Sequence, residues 1–295
     1  MPTPFVYSFL ALGSECRLYL PPGDGSQFVA ELAEDEVRRI EQKYSRYRPD
    51  SDLSVINRAS KEGREIELDV ETAALMDYAA VCYQKSGGLF DITAGVLRRA
   101  WNFDKTALPD AGAVQRLLPL IGFDKLRWSK PMLAFTCPGM ELDFGGIGKE
   151  YAADRIADLC AGNGVHAGLI DLGGDIRVLG PLAPDVPWEI AIRHPLAPEI
   201  PLATIALASG ALATSGDYER SICLDGKRYS HILNPQTGWP VDGLSSVSVV
   251  AEQCMVAGSV ATIAMLKENE GPGWLATTGL RHLWMDQAGK QGGEW

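Results

Sequence analysis

The sequence predicts an α+β fold that contains at least one antiparallel sheet. Apolar segments with strand periodicity and with helix periodicity follow one another without the strict alternation that parallel βαβ units show. Two pairs of short apolar segments also flank tight turns, at Gly173-Gly174 and at Asp225-Gly226. Because such turns join neighbouring antiparallel strands, they favour hairpins within a mixed or antiparallel sheet.

The first half of the chain contains strands and helices in irregular order. Apolar residues that alternate from Phe5 to Leu20 predict a first β-strand. Residues 27–47 have the apolar spacing of a helix, with Phe28 on the buried face, and a polar stretch follows at 45–60. Asp69 can cap a helix that ends at Gly87. The other predicted elements of this half are a short helix within 109–122 and two strands within 125–144, around Pro131 or Gly139.

The second half is richer in strands. A helix over 149–160 is expected to stop at Asn163-Gly164, because both residues tolerate the left-handed conformation that ends many helices. The remaining predictions, in chain order, are two strands within 168–180, further strands within 187–195 and 201–218, a hairpin over 221–233, a strand over 245–251, a helix of small residues over 254–267 and a closing strand within 280–289.

Length and charge limit the possible functions. A chain of 295 residues is long enough for one large domain or two subdomains, and 46% apolar with 22% charged residues is ordinary for a globular protein. The formal net charge of -11 argues against a nucleic-acid partner or an anionic membrane surface. No apolar run reaches the length of a membrane-spanning helix, so no membrane anchor is expected.

The N-terminus and the cysteines predict a cytoplasmic protein. No basic residue precedes Arg17, so the positively charged start of an export signal is missing, and Glu15 precedes Cys16 where a lipoprotein signal has a small residue. The six cysteines include no C-x-x-C pair and lie among apolar residues, which favours buried, reduced thiols over disulfides or a metal site.

The segment ELDFGGIGKEYAAD, at 141–154, has three glycines and a lysine in front of a predicted helix. Backbone N–H groups at a helix start bind phosphate readily. The segment is nevertheless not a P-loop, because Asp143 stands in the place of the first glycine and Glu150 follows Lys149. It is not a dinucleotide fingerprint either, because Tyr151 stands in place of the third glycine.

Four sites combine glycine or apolar surroundings with an acid or a histidine. They are Asp91, residues 145–149, residues 173–175, and residues 215–217 together with His231. Glycine lets a ligand approach the backbone, while acids and histidine can transfer protons or contact a metal. Each site taken alone is more simply explained as a turn that is closed by a side-chain hydrogen bond.

The motifs taken in order resemble one family. They are LGSECRL, SRYRPDSDLSVIN, GGLFDIT, ELDFGGIGKEYAAD, DLGGDIRVLG, ATSGDYER, YSHILNPQTGWPV and VAGSVAT. This series resembles the FAD:protein FMN transferases, the ApbE-type flavin transferases, from about Leu12 to about Leu266. The most specific part is SGDY followed by HI-NP-TG-P.

The resemblance implies a single two-lobed α+β domain over 1–295, with a cleft for FAD between the lobes. It implies cleavage of the FAD diphosphate with Mg²⁺, transfer of FMN to a Ser or Thr of an acceptor flavoprotein, and release of AMP. Gly148 would present its carbonyl and Thr262 its hydroxyl to the metal. His231 would lie near the phosphates, and His231 or Asp217 would accept the proton of the incoming hydroxyl. The remaining expected contacts to FAD are Tyr47, Ser51, Asn57, Asp91, Lys149, Asp154, Gly173, Gly174, Asp175 and Ser215.

The chain departs from the family pattern at the metal site. The family's last motif, A-D-A-L-A-T, supplies an anionic metal ligand, but Gly258 stands in the place of that aspartate and Ser259 cannot restore the charge. Glu150 in turn stands where the family has glycine. One hypothesis is that Glu150 partly replaces the missing ligand; the alternative is that it only favours the positive end of its helix.

Three functions therefore remain open at the level of sequence. The residues around SGDY and His231 are retained, which favours an active FMN transferase. The loss at position 258 also permits an FAD-binding module without turnover, used for storage or delivery. A third possibility is a metal-dependent FAD pyrophosphatase that yields FMN and AMP. The chain has no S-G-A-T acceptor sequence of its own, so self-modification is not expected.

Overall fold

The computed structural model describes residues 3–218 and 220–295. Its α-helices, in chain order, are α1 (Ser26–Tyr44), α2 (Asp52–Lys61), α3 (Val70–Ser86), α4 (Ala111–Leu117), α5 (Gly148–Gly162), α6 (Cys254–Leu266) and α7 (Gly271–Ala276). Short 3-10 helices cover Ile92–Arg99, Leu118–Leu120, Phe123–Lys125 and Glu268–Glu270.

The strands complete an α+β architecture. In chain order they are β1 (Phe5–Ala11), β2 (Ser14–Leu20), β3 (Ile66–Glu67), β4 (Leu126–Ser129), β5 (Met132–Phe135), β6 (Gly168–Leu172), β7 (Asp175–Gly180), β8 (Trp188–Arg193), β9 (Pro201–Leu207), β10 (Gly210–Gly216), β11 (Ser221–Leu224), β12 (Lys227–Ser230), β13 (Leu244–Ala251), β14 (His282–Asp286) and β15 (Gln291–Glu294).

An eight-stranded sheet with the order β1-β2-β6-β7-β10-β13-β14-β15 forms the centre of the fold. All neighbouring strands in it are antiparallel, which confirms the predicted class. Helices α5 and α6 pack against β7, β10 and β13. Strand β13 is buried along nearly its whole length, as expected for a central strand. Smaller sheets are formed by β3-β5-β4, by β8-β9 and by β11-β12.

The N-terminal segment is a hairpin instead of the single predicted strand. Strands β1 and β2 pair from Phe5 opposite Leu20 to Ala11 opposite Ser14. The turn between them contains Leu12 and Gly13 at φ of 54° and 73°. Glycine adopts such left-handed angles without strain, so Gly13 allows the chain to reverse here. The alternation of apolar residues continues on both sides of the turn, so the sequence pattern of the two strands was interpreted as a single strand.

Helix α1 confirms the predicted element but not every predicted buried residue. Its inner face carries Val29, Ala33, Val37 and Ile40 at spacings of three and four. Phe28 lies one residue away from this face and is 58% exposed, so the prediction that it is buried was wrong. A residue next to the inner face is rotated by about 100° around a helix, which is enough to turn the ring toward solvent.

The polar stretch at 45–60 contains a helix that the sequence analysis did not predict. Ser51 accepts a hydrogen bond at its Oγ from the Ser54 N–H at 3.0 Å, so it caps α2. Leu53 and Ile56 are buried on its inner face. The predicted cap of α3 by Asp69 and its left-handed end at Gly87 are both confirmed.

The remaining predicted elements are largely confirmed. Strands β4 and β5 flank Pro131, which settles the choice between Pro131 and Gly139. Strand β15 was not predicted, because its glycines give no apolar alternation. All six cysteines are free, but Cys223 on β11 is exposed instead of buried. Within residues 3–218 and 220–295, no helix is both long and apolar enough to cross a membrane.

Candidate active site

The glycine turn before α5 is held by side chains from other elements. Asn57 on α2 donates from Nδ2 to the Leu142 carbonyl at 3.0 Å and accepts at Oδ1 from the Leu142 N–H at 2.7 Å. Asp143 accepts from the Gly145 N–H at 2.9 Å and forms an ion pair with Arg46. Helix α5 then begins at Gly148 without a side-chain cap. Helix starts of this kind are where proteins commonly bind anions.

Lys149 and Asp175 form an ion pair directly behind the start of α5. The Lys149 Nζ lies 2.8 Å from Asp175 Oδ2, and the Asp175 side chain is only 6% exposed. Burial raises the pKa of Asp175 and the charge of Lys149 opposes that shift. Asp175 opens β7 directly after Gly173 and Gly174, whose φ values of 69° and 96° suit the tight turn. A Cβ on Gly173 would also lie 2.6 Å from the Ser14 Oγ, whereas Gly174 faces open space.

Asp154 connects the two helices of the site. Its two carboxylate oxygens accept hydrogen bonds from the N–H groups of Cys254 and Met255, both at 2.9 Å. These groups open α6, so Asp154 on α5 caps α6 from outside its own helix. Arg177 approaches the same carboxylate at 3.3 Å. The structure thus gives Asp154, a predicted contact to FAD, a role in fixing α6 against α5.

Glu150 and Gly258 are in direct contact across these helices. A Cβ placed on Gly258 would lie 2.5 Å from both Cγ and Oε1 of Glu150. Glu150 is 7% exposed, and its Oε2 has no hydrogen-bond partner among the described residues. Burial, with the nearby negative charge of Asp175, raises the pKa of Glu150 well above its ordinary range. The carboxyl group of Glu150, on α5, thus occupies the space beside Gly258 on α6.

Thr262 and Ser215 lie next to this contact. Thr262 is one helical turn beyond Gly258 on α6, and its hydroxyl is 2.8 Å from that of Ser215 on β10. The hydroxyl of Ser259 is turned away, since it donates to the Met255 carbonyl at 2.7 Å and lies 2.7 Å from the Tyr78 hydroxyl. Gly148, Glu150 and Thr262 therefore belong to the packed pair α5 and α6.

His231 follows β12 and lies close to several positive charges. Its Nδ1 is 3.2 Å from the carbonyl oxygen of Arg220. Burial, together with the charges of Arg220, Lys149 and Arg46, lowers the pKa of His231 to about 4, and the hydrogen bond to the Arg220 carbonyl opposes this shift. His231 is thus neutral at pH 7 and shares its surroundings with Lys149.

Asp217 is buried and paired instead of free to accept a proton. It is 2% exposed, and its Oδ1 accepts a hydrogen bond from Arg228 Nη1 at 2.9 Å. Gln287 Nε2 lies 3.5 Å from Oδ2, at the limit of a hydrogen bond. Burial raises the pKa of Asp217 and the guanidinium of Arg228 opposes this shift. This geometry favours a role for Asp217 in positioning Arg228.

Three of the predicted FAD contacts have internal hydrogen bonds instead of a free polar edge. Ser51 caps α2 and donates from Oγ to the Ser45 carbonyl at 2.7 Å, and Asn57 holds Leu142 as described. Asp91 accepts from the Thr93 N–H at 2.8 Å and from the Phe123 N–H at 3.0 Å. These hydrogen bonds shape the loops in which the three residues lie.

Tyr47 remains accessible to a ligand. Its side chain is 70% exposed, with the guanidinium of Arg46 at 5.1 Å from the ring centre. An exposed aromatic ring held by a cation suits stacking on a planar ligand. By contrast, a cavity of about 410 Å³ between α1 and the loop after α5 lies at the opposite end of α5 from Gly148.

The sequence analysis missed three arginines that now surround the site. Arg46 pairs with Asp143, Arg228 pairs with Asp217, and Arg220 provides the carbonyl beside His231. All three occur in polar segments, where the sequence offers no signal that separates a site arginine from a surface arginine.

Known proteins resemble the chain over nearly its full length. The sequence model of the ApbE family matches residues 12–284. The FAD:protein FMN transferase of Treponema pallidum (strain Nichols) is 30% identical over 294 residues, which cover 89% of this chain and 81% of that protein. The FAD:protein FMN transferase of Vibrio cholerae serotype O1 is 30% identical over 240 residues, which cover 79% of this chain and 72% of that protein.

Solved structures agree with these sequence matches. The ApbE protein from Thermotoga maritima superposes with a TM-score of 0.90 at 28% identity, over 99% of this chain and 97% of that one. The flavin transferase ApbE from Vibrio cholerae superposes with a TM-score of 0.88 at 26% identity, over 98% of this chain and 96% of that one. The similarity therefore includes α5, α6, the central sheet and the segment that carries His231.

Proposed function

The chain belongs to the ApbE family, and we propose that it is an enzyme that transfers FMN from FAD to a Ser or Thr hydroxyl of an acceptor flavoprotein. The acceptor oxygen attacks the phosphorus of the FMN half, a new P–O bond forms, and the bond to the bridging oxygen breaks. AMP leaves with that oxygen, and the hydroxyl proton passes to a base. The observation that carries the proposal is the placement of neutral His231 beside Lys149 and Arg46, next to the uncapped start of α5.

His231 is the proposed base. When its Nδ1–H donates to the Arg220 carbonyl at 3.2 Å, its Nε2 keeps a free lone pair. The negative charge of a bound diphosphate would raise the pKa of His231 from about 4 toward neutrality, which improves it as a proton acceptor in the complex. Asp217 is less suited, because its Oδ1 is engaged by Arg228.

The diphosphate of FAD would bind in front of α5. The positive end of this helix attracts its oxygens. Lys149 and Arg46 add local positive charge for the diphosphate, although the net charge of the protein is -11. Tyr47 is accessible for stacking on a ring of FAD.

A magnesium ion bound here would have few charged protein ligands. Within the described part of the chain, no three His, Cys, Asp or Glu side chains come together as a metal site. The proposed donors are the Gly148 carbonyl and the Thr262 hydroxyl, both neutral. The buried Oε2 of Glu150, which has no hydrogen-bond partner among the described residues, is a further oxygen next to α6. When bound, Mg²⁺ would neutralise charge on the diphosphate.

The test is to incubate the protein with FAD, Mg²⁺ and the flavinylation domain of an acceptor protein. Covalent fluorescence on the acceptor after denaturing electrophoresis, with one AMP released per flavin bound, is the expected result. Two outcomes contradict it: FAD recovered unchanged indicates a binding module, and free FMN with AMP indicates a pyrophosphatase. An acceptor whose target hydroxyl is removed, by Ser→Ala or Thr→Val, serves as the control.

A further inference from the structure

The Glu150 side chain fills the volume in which a side chain at position 258 would lie. Any Cβ on residue 258 would be 2.5 Å from Cγ and Oε1 of Glu150 and 2.8 Å from its Cδ. These distances are far below van der Waals contact, so a side chain at 258 and Glu150 in this conformation exclude each other. Glu150 can therefore hold this conformation only when residue 258 is glycine, which links the two residues across α5 and α6.

The Glu150 carboxyl group is only partly satisfied inside the protein. Its Oε2 is buried and has no hydrogen-bond partner among residues 3–218 and 220–295. The lysine beside it, Lys149, directs its Nζ to Asp175 at 2.8 Å. A buried anion without a partner is strongly unfavourable. The structure thus leaves a buried carboxyl oxygen that a bound cation would satisfy.

Two residues near Glu150 along the helix pair offer neutral oxygen donors. Thr262, one turn from Gly258, presents its hydroxyl beside Ser215. Gly148 is two residues before Glu150 at the start of α5 and has open space where a side chain would be. Mg²⁺ accepts carboxylate, hydroxyl and carbonyl oxygens, and it keeps several water or phosphate ligands in addition.

We propose that Glu150, from α5, supplies the anionic ligand of the magnesium site, in place of an acidic side chain from position 258 of α6. The carboxylate would then come from α5 instead of α6, and the absence of a side chain at Gly258 leaves space for it. This inference rests on the proposed function, because that function requires the metal. The proposal also explains why positions 150 and 258 both depart from the family pattern. A carboxylate that reaches the same point from α5 instead of α6 keeps its position and its charge.

The experiment measures metal binding without turnover. Mn²⁺, as the probe, is titrated into the full-length protein and followed by electron paramagnetic resonance of the free ion. The variants are Glu150→Gln, which removes the charge and keeps the shape, and Glu150→Gly combined with Gly258→Asp, which returns the carboxylate to α6. Glu252→Gln, an exposed residue just before α6, is the matched control. Unfolding temperatures establish that each variant is folded.

The expected result is a loss of Mn²⁺ affinity of about tenfold or more in Glu150→Gln, since the one charged donor is gone. The double variant should regain most of this affinity, and Glu252→Gln should bind as the wild type does. Equal Mn²⁺ affinity in wild type and Glu150→Gln would overturn the proposal, as would a wild type that binds no Mn²⁺. In either case Glu150 serves only the helix start or is held by a proton.

Failure of this proposal can be told apart from failure of the proposed function. Flavin transfer by the wild type, together with unchanged Mn²⁺ binding in Glu150→Gln, would reject the ligand exchange and leave the transferase activity standing. Loss of Mn²⁺ binding in Glu150→Gln without any flavin transfer by the wild type would support the metal site and reject the transferase.

Discussion

The carboxylate of Asp154 on α5 accepts a hydrogen bond from the backbone N–H of Cys254, the first residue of α6, at 2.9 Å. A second bond from Met255 N–H, also at 2.9 Å, makes Asp154 the cap of α6. This fixes the distance between the two helices that carry Glu150 and Gly258. The geometry of the proposed metal site thus depends on a residue that needs no contact with the metal.

Asp154→Ala is expected to destabilise the fold and to weaken the site. Loss of a helix cap costs about 1–2 kcal/mol of unfolding free energy, which denaturant titration measures. Asp110→Ala is the matched control, because Asp110 caps the peripheral helix α4 through the Ala113 N–H at 2.8 Å. Both variants should lose stability, but only Asp154→Ala should also lose FAD affinity. Equal FAD affinity in the two variants would contradict this role.

Gly258→Ala is expected to destabilise the protein by overpacking. The new methyl group would lie 2.5 Å from Glu150, and such crowding costs about 1–3 kcal/mol. Adding Glu150→Gly should restore most of the stability. Gly162→Ala, where no atom lies within 4 Å of the new Cβ, should be neutral or stabilising. If Gly258→Ala proves equally harmful with and without Glu150, the two residues are not in contact as described.

His231→Asn should abolish flavin transfer and leave FAD binding nearly intact. It should also change how stability depends on pH. Burial lowers the pKa of His231 from its ordinary 6.5 to about 4. Between these values the unfolded chain binds a proton that the folded chain does not, so the free energy of unfolding rises with pH in this window and is flat above it.

The measurement is unfolding free energy against pH from 4 to 8 for wild type, His231→Asn and the exposed control His166→Asn. The difference between wild type and His231→Asn should shrink as the pH falls below 6.5. Parallel curves for these two proteins would show that His231 is not held neutral, and transfer by His231→Asn at the wild-type rate would exclude it as the base.

Lys149→Met should reduce both stability and FAD affinity, because it removes two different interactions of the lysine. It leaves Asp175, with its side chain 6% exposed, without its cation. The expected cost is about 2–3 kcal/mol, less than for a fully buried pair because Lys149 is partly exposed. Lys149→Met with Asp175→Asn should regain stability but not affinity, since the charge toward the diphosphate is still missing. Affinity that returns together with stability would argue against contact between Lys149 and FAD.

Local signals in the sequence predicted most of the fold. Asp69 before a helix, Gly87 after it and Asp225-Gly226 between two strands each act within a few residues, so their effect can be inferred without the tertiary structure. The burial of Phe28 was wrong because its side-chain direction depends on which face of α1 meets the core. The helix at 52–61 was missed because its inner face has few apolar residues and lies within a polar stretch of the sequence.

The site was predictable only in part, and for the same reason. The motifs predicted Lys149, Asp154, Asp175, Thr262 and His231 as site residues, but not which of them contact one another. Asp154 caps a distant helix and Asn57 binds a distant backbone, roles that depend on contacts between segments far apart in sequence. The exchange of Gly258 and Glu150 was open as a hypothesis from sequence; their contact became visible only when α5 and α6 were packed together.

The most direct test of the account is anomalous X-ray diffraction from crystals of the protein grown with FAD and Mn²⁺. We expect the FAD diphosphate in front of the first turn of α5, with His231 facing it. We expect an anomalous peak about 2.0–2.2 Å from a Glu150 carboxylate oxygen and from the Thr262 hydroxyl. A diphosphate bound away from His231, or a manganese peak that contacts neither Glu150 nor Thr262, would contradict the account.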